Sequence, residues 1–266
     1  MSPQAWKKWV WMAYLWLFFG FIFAPIVIVI VVAFQEGAFV SFPIQGFSLQ
    51  WIEKAVSYKP FTDSLITSFQ VATLSTLLAI LLGTPAALAL AKRESRWADV
   101  IVTILLSPLS VPLIVLGFAL LFYLSRAGLG TSFVGLLLAH TLVGLPYIVR
   151  TVIAVYRTVG RDLEEAARML SATRWQVLWH ITLPMIRPGL VGGGMLAFLI
   201  SIDNLPVSYF FTSVTTVTLP VVMLSYIESS FDPSIAALSL IQLLIAFAGL
   251  LIIERIWGIH MLSRSI

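Results

Sequence analysis

Residues 161–189 read RDLEEAARMLSATRWQVLWHITLPMIRPG, a polar island between two apolar stretches. Asp162 stands where an N-cap would, with Glu165 three residues on in the spacing of a capping box. Leu163, Ala166, Ala167 and Leu170 then fall on one face of a helix. Thr173 and Gln176 repeat the spacing and open a second short helix, with Val177, Leu178 and Ile181 on its apolar side. Pro184 and Pro188 turn the chain back toward apolar sequence. The segment is a helix-turn-helix with one apolar face, and two alanines make part of that face narrow enough for close approach. From the residues alone it is either a docking element or an amphipathic hairpin packed on its own bundle.

The chain around this island is built for a bilayer. Of its 266 residues, 60% are apolar and 11% are charged, against about 45–50% and about 25% in soluble domains. That excludes an ordinary soluble enzyme, a disordered chain and a nucleic-acid-binding module. A membrane helix needs about 20 predominantly apolar residues, and six such spans are predicted, at 9–34, 64–91, 100–125, 129–152, 189–212 and 234–257. Together they make a single all-α transmembrane domain over residues 1–266, with the polar loop at 160–187. Residues 213–232 are expected to be an outer loop, since Thr215, Thr216, Thr218 and Pro220 suit irregular backbone. Trp51, Glu53 and Lys54 suggest a short interfacial helix in the loop after the first span. Lys7 and Lys8 precede the first span as in a signal peptide. Its apolar run is far longer than a signal core of about 7–15 residues, so it reads as an uncleaved span.

Charge sets the expected topology. With six spans, every Lys and Arg except Lys54, Lys59 and Arg126 falls on one side. Positive charge marks the cytoplasmic side, so both termini and the 160–187 loop are expected there. Chemistry is conspicuous by what is missing. The sequence has no cysteine, phosphate-binding loop, H-E-x-x-H or G-x-S-x-G, so no catalytic residue and no metal ligand is assigned. His140 lies inside the fourth span and reads as a packing or helix-bonding histidine, the alternative being a proton relay.

The 160–187 loop resembles the EAA loop of ABC importer permeases. That pattern is Glu-Ala-Ala, three residues, Gly, nine residues, then Ile-x-Leu-Pro. Here Glu165-Ala166-Ala167 is followed at the same spacing by Ser171 and then by Ile181-Thr182-Leu183-Pro184. The resemblance implies a type I importer-like permease with six spans, whose Asp162, Glu165, Ala166, Ala167, Leu170 and Ser171 couple to an ATPase. It further implies two ATPase subunits that hold ATP and magnesium, a second related permease and a periplasmic or lipid-anchored binding protein, all at the inner membrane. The chain itself would hold no cofactor and break no bond. Ser171 departs from the usual glycine; if the turn requires a positive φ, serine there is strained by about 1 kcal/mol or more.

Three further stretches resemble spermidine/putrescine-type permeases: Ser64-Leu65-Ile66-Thr67-Ser68, Ser201-Ile202-Asp203-Asn204 with Thr218-Leu219-Pro220, and Asp232-Pro233 running to Ala236-Ala237. Asp203 lies about 20 Å along a core about 30 Å thick. A carboxylate there costs about 2.5–3.5 kcal/mol and should face the bundle interior or a wet path. Asp203, Asn204 and Tyr209 are therefore the candidate substrate path for a small cation, with the aromatic face suited to an ammonium group. The alternative is Asp203 paired with a partner subunit or a backbone donor, and Tyr209 serving as packing. Glu228 and Asp232 are either solvated or a contact for the binding protein. A polyamine is the substrate class this pattern favours. An amino-acid-like, opine or aminophosphonate substrate remains open, as does a secondary transporter.

Overall fold

The computed structural model describes residues 3–39, 46–93, 95–159, 162–214, 216–230 and 232–257. Gly160, Arg161, Thr215 and Arg264, which carry parts of the sequence reading, lie outside them. The described residues form twelve α-helices: α1 (Pro3–Ala33), α2 (Gln50–Ser57), α3 (Lys59–Ala91), α4 (Arg96–Leu106), α5 (Leu113–Arg126), α6 (Phe133–Val159), α7 (Asp162–Met169), α8 (Arg174–Val177), α9 (Leu183–Ile202), α10 (Leu205–Phe210), α11 (Leu219–Ser229) and α12 (Ser234–Trp257). The chain divides into two units, Met1–Thr62 with Ser225–Phe247, and Asp63–Leu224 with Ala248–Ile266.

In the first unit, α1 is apolar all round and its side chains are exposed from Trp6 through Ile28. A helix of that kind is made for lipid or for another chain. The interfacial helix expected around Trp51 is α2, which buries Trp51 and Ala55 and exposes Glu53.

The second unit carries the bundle. In it Phe133–Thr158, Arg174–Ile202 and most of Lys59–Ala91 are long and apolar enough to cross a membrane, as is Trp6–Ala33 in the first unit. The stretch expected as one span at 100–125 is instead two helices bent by 108°. Ser107–Ser110 tightens into a 3₁₀ turn and Pro112 sits at the N-cap of α5. Two prolines within five residues remove the amides that a continuous helix would need. Pro85 and Pro146, by contrast, lie inside unbroken helices. The span expected at 189–212 begins earlier, at Leu183, and stops at Ile202, to restart as α10 at Leu205. Residues 213–232 are not all loop, because α11 occupies Leu219–Ser229. Pro220 sits in its first turn, where a missing amide costs nothing. The last expected span, 234–257, is the helix α12, Ser234–Trp257, of 24 residues.

Lipid tails are as apolar as leucine, so helices associate in a membrane through close packing and hydrogen bonds. Here α6 and α9 meet along small residues spaced four apart. A Cβ on Gly193 would strike Thr151 Oγ1 and come within 3.1 Å of Ile148 Cα. One on Gly189 would lie 2.8 Å from the Thr151 carbonyl, and one on Gly144 would lie 3.2 Å from Ala197 Cβ. Thr151 closes the contact by donating to the Gly189 carbonyl at 2.8 Å. Ile148, Val152, Tyr156, Ile186 and Ala197 are buried around this seam, with Ala79 and Ala87 of α3. Gly117 admits α10 against α5, where a Cβ would lie 3.0 Å from Val207 Cα.

The consecutive glycines Gly192, Gly193 and Gly194 are therefore not equivalent. Gly193→Ala is expected to destabilise by about 1–3 kcal/mol through overpacking. Gly192→Ala, with nothing within 4 Å of its Cβ, should be neutral or gain up to about 1 kcal/mol from helix propensity. Thermal unfolding of the two variants in detergent measures the contrast.

Candidate coupling hairpin and transport path

The hairpin forms from local rules. Asp162, Glu164 and Glu165 occupy the first turn of α7 and complement its dipole. Asp162 is the first helical residue, one position inside the expected N-cap. Ser171 ends the helix at φ +65°. Its amide donates to the Arg168 carbonyl at 2.9 Å, and the Ala172 amide reaches the Ala167 carbonyl at 3.1 Å. This pair of bonds is a Schellman turn with serine in the left-handed position that glycine usually takes. The predicted box at α8 is present, with Gln176 N donating to Thr173 Oγ1 at 3.3 Å and Thr173 N to Gln176 Oε1 at 2.8 Å.

The two readings of the hairpin part here. Leu163, Ala166, Glu165 and Leu170 are exposed, Leu170 at 85%. The apolar face is not covered by the bundle. What holds the hairpin is Glu164, one residue from the glutamate the sequence singles out. Both its carboxylate oxygens accept from Lys92 Nζ, at 3.0 and 2.8 Å, and Oε1 also accepts from Thr182 Oγ1 at 2.7 Å. Lys92 stands over the Tyr156 ring at 5.4 Å. Burial alone would push the Glu164 carboxyl up, and the hydrogen bonds from Lys92 and Thr182 hold it below its usual range. Thr182 closes a π-helical turn, Leu178–Thr182, that feeds α9. No sequence signal ties Glu164 to Lys92, although a buried partner for one of two adjacent glutamates is a fair question to ask of any amphipathic helix.

The candidate path residues sit at the break between α9 and α10. Asp203 ends α9 and is exposed, and no side-chain hydrogen bond or ion pair reaches its carboxylate among the described residues. Asn204 is 2% exposed, and its Oδ1 caps α10 by accepting from Val207 N at 3.1 Å. That bond fixes its Nδ2 as a donor, and Nδ2 is buried without a partner. Pro206 supplies no amide to the Ile202 carbonyl. Tyr209 is exposed and packs edge-on against Phe210 at 5.9 Å. Beside the break runs a polar chain that the sequence reading did not assemble. His140 bonds Ser201 Oγ at 2.8 Å through Nδ1 and Ser208 Oγ at 3.1 Å through Nε2, and Ser201 Oγ meets Ser75 Oγ at 3.1 Å. The histidine is a satisfied, helix-bonding residue that ties α3, α6, α9 and α10 together.

Glu228 is exposed. Asp232 is engaged within its own unit. It accepts from Lys54 Nζ at 2.6 Å, Tyr226 Oη at 2.8 Å and Ser234 N at 2.9 Å. Burial would raise its carboxyl, but these donors hold it at about 2. No group of three His, Cys, Asp or Glu gathers into a metal site among the described residues.

The described residues are thus an all-α set with several apolar helices, an uncovered apolar hairpin and a broken span. The chain matches the family described as binding-protein-dependent transport system inner membrane component over residues 79–258, and it belongs to that family. It is 36% identical over 205 residues, 71% of this chain and 76% of the relative, to the molybdenum transport system permease protein ModB of Mycobacterium tuberculosis. It is 29% identical over 226 residues, 85% of this chain and 88% of the relative, to the spermidine/putrescine transport system permease protein PotC of Haemophilus influenzae. In fold it is similar to a chain of a bacterial ABC transporter involved in the import of the acidic polysaccharide alginate, at a TM-score of 0.72 and 15% identity over 97% of both chains. A chain of the MetNI methionine ABC transporter matches at a TM-score of 0.62 and 18% identity, over 73% of this chain and 93% of that one. The protein is a multi-pass inner-membrane permease subunit of an ABC importer with the type I importer-like fold.

Two measurements check this geometry. Ser171→Gly should keep the turn and stabilise the hairpin by about 1 kcal/mol, because glycine takes the left-handed conformation without the Cβ penalty; amide exchange at α7 reads it. Asp232 titrates at about 2 in the fold against an ordinary 3.8, so its contribution is complete above about pH 3.8 and lost as pH falls through about 2. The thermal stability difference between wild type and Asp232→Asn should hold from neutral pH to about 4 and vanish toward 2.

Proposed function

We propose that this permease subunit imports a substrate bearing an ammonium group, of the spermidine or putrescine kind, delivered by a binding protein. The observation that carries the reading is Asp203, an exposed carboxylate with no partner among the described residues, at the break of a span. An uncompensated negative charge at that depth is costly, and a cation passing it is stabilised while an anion is repelled. Tyr209 offers an exposed aromatic face on the following helix, suited to an ammonium or an alkyl stem. Relatives named for spermidine and putrescine transport match most of the chain. The relative named for molybdenum transport keeps the substrate class a matter for experiment.

Asn204 favours a second reading. Its buried Nδ2 lacks an acceptor, which a polyamine does not supply and a carboxylate or phosphonate does. A zwitterion of the amino-acid, opine or aminophosphonate class would use both neighbours. In either case a second related permease completes the path. Two ATPase subunits, holding ATP and magnesium, take the exposed Leu163, Glu165, Ala166 and Leu170, with the half-buried Ala167 between them, into a cleft. A periplasmic or lipid-anchored binding protein meets the outer side, where Glu228 is exposed and Asp232 is already paired.

The test is ATP-driven uptake by the reconstituted complex, with labelled spermidine and putrescine and with amino acids and aminophosphonates as competitors. Asp203→Asn is expected to cut cation uptake by an order of magnitude while leaving assembly intact. Polyamine uptake unchanged in that variant would remove Asp203 from the path. Uptake of zwitterions alone would favour the second reading.

A further inference from the structure

We propose that Glu164, Lys92 and Thr182 form a latch that makes the hairpin one mechanical body with three helices, so that a push on the hairpin moves the broken span. The proposal rests on the reading of the hairpin as the ATPase-docking element. Three observations carry it.

The first is the number of elements that meet at one carboxylate. Glu164 is on α7, Lys92 follows the last turn of α3, and Thr182 closes the π turn ahead of α9. Lys92 also lies against Tyr156 of α6. Four separate chain segments converge on one side chain whose exposure is 5%.

The second is the division of labour between adjacent residues. Glu164 faces inward and Glu165 outward on the same helical turn. The outward face is free for a partner, and the inward face has both carboxylate oxygens occupied. Charge-assisted bonds to both oxygens are directional and resist rotation of α7. Arg168, one turn on, stands at 3.9 Å and adds no comparable contact.

The third is the π turn itself. A π turn is rare and recurs at functional sites. Here it gives Thr182 a fully buried position with its hydroxyl on Glu164. From Thr182 the helix runs without a break through Ile202 to Asp203. The same α9 that starts at the latch therefore ends at the candidate path. Lys92, Glu164 and Thr182 are positioning residues: they touch neither ATP nor substrate.

The chain has no cysteine, so with partner subunits prepared free of reactive thiols the introduced cysteines report without background. The assembled complex is prepared in two forms. One carries nitroxide labels at Arg93→Cys and Arg174→Cys, on the two sides of the latch. The other carries Tyr209→Cys, whose alkylation by an impermeant maleimide is timed with and without ATP plus vanadate. With wild-type Glu164, the label distance is expected to stay narrow in both nucleotide states, and alkylation should change several-fold on trapping. Glu164→Gln should broaden the distance and abolish the nucleotide response at position 209 while the ATPase still co-purifies. The reversed pair, Lys92→Glu with Glu164→Lys, should restore both. Thr182→Val, which removes one bond at nearly constant shape, should give a partial loss and serves where Glu164→Gln folds poorly.

A narrow distance with a retained response in Glu164→Gln overturns the latch. A broad distance with a retained response overturns the transmission role and leaves only a structural one. If wild type neither binds an ATPase nor responds to nucleotide, the docking reading fails instead. The label distance in the permease alone then still decides whether the latch exists.

Discussion

The close approach of α6 and α9 is the constraint on which the second unit depends. Gly189, Gly193 and Ala197 on one helix meet Gly144, Ile148 and Thr151 on the other. The hairpin is the chain segment that joins these two helices, so packing them together holds its two feet a fixed distance apart. At the other end of the same pair, His140 and Ser201 come within 2.8 Å. A side chain added at Gly193 would therefore disturb both the hairpin and the break.

Polar groups inside an apolar bundle are stabilising only when paired, and here they are spent at the two ends of α9. At one end the Glu164–Lys92 pair is buried on the carboxylate side and about a third open on the lysine side. Its loss should cost more than the ~0–1 kcal/mol of an exposed pair and less than the ~3–5 kcal/mol of a fully buried one. At the other end, Ser75, Ser201, His140 and Ser208 form a chain with no formal charge required. Between them the seam is alanine, glycine and branched aliphatics, which fixes spacing without adding polar cost.

Local rules are legible in the sequence and long-range pairings are not. The Thr173–Gln176 box and the left-handed serine at 171 each follow from residue types at fixed spacing, and each is present. Glu164 was missed in favour of Glu165 because its role depends on Lys92, 72 residues away in sequence. The bend between α4 and α5 was missed because an uncharged run was read as one helix, although Pro108 and Pro112 lie within it. The helix within 213–232 was missed because Thr218 and Pro220 signal a loop and a helix start equally well. At the candidate path, Asp203 and Asn204 are visible as polar residues in an apolar run. That one is exposed and the other buried depends on the break itself.

That break has a local cause. Pro206 cannot donate to the Ile202 carbonyl, and Asn204 offers a side-chain oxygen to the first amides of a new helix. Either feature alone bends a helix; together they end one and start another within three residues. The backbone groups so released lie within the membrane-spanning bundle, where irregular structure is tolerated only if protein or water meets it. Ser201 and Ser208 flank the break and are both anchored to His140, which fixes the two helix ends while leaving Asp203 and Asn204 as the non-helical link. The result is an interruption whose edges are held by His140 and whose centre carries an exposed carboxylate and, buried beside it, a side-chain amide without a partner among the described residues. Broken helices in other transport folds place their ion and substrate groups on the same kind of interruption. In this chain the rigid edges trace back, through α9, to the hairpin.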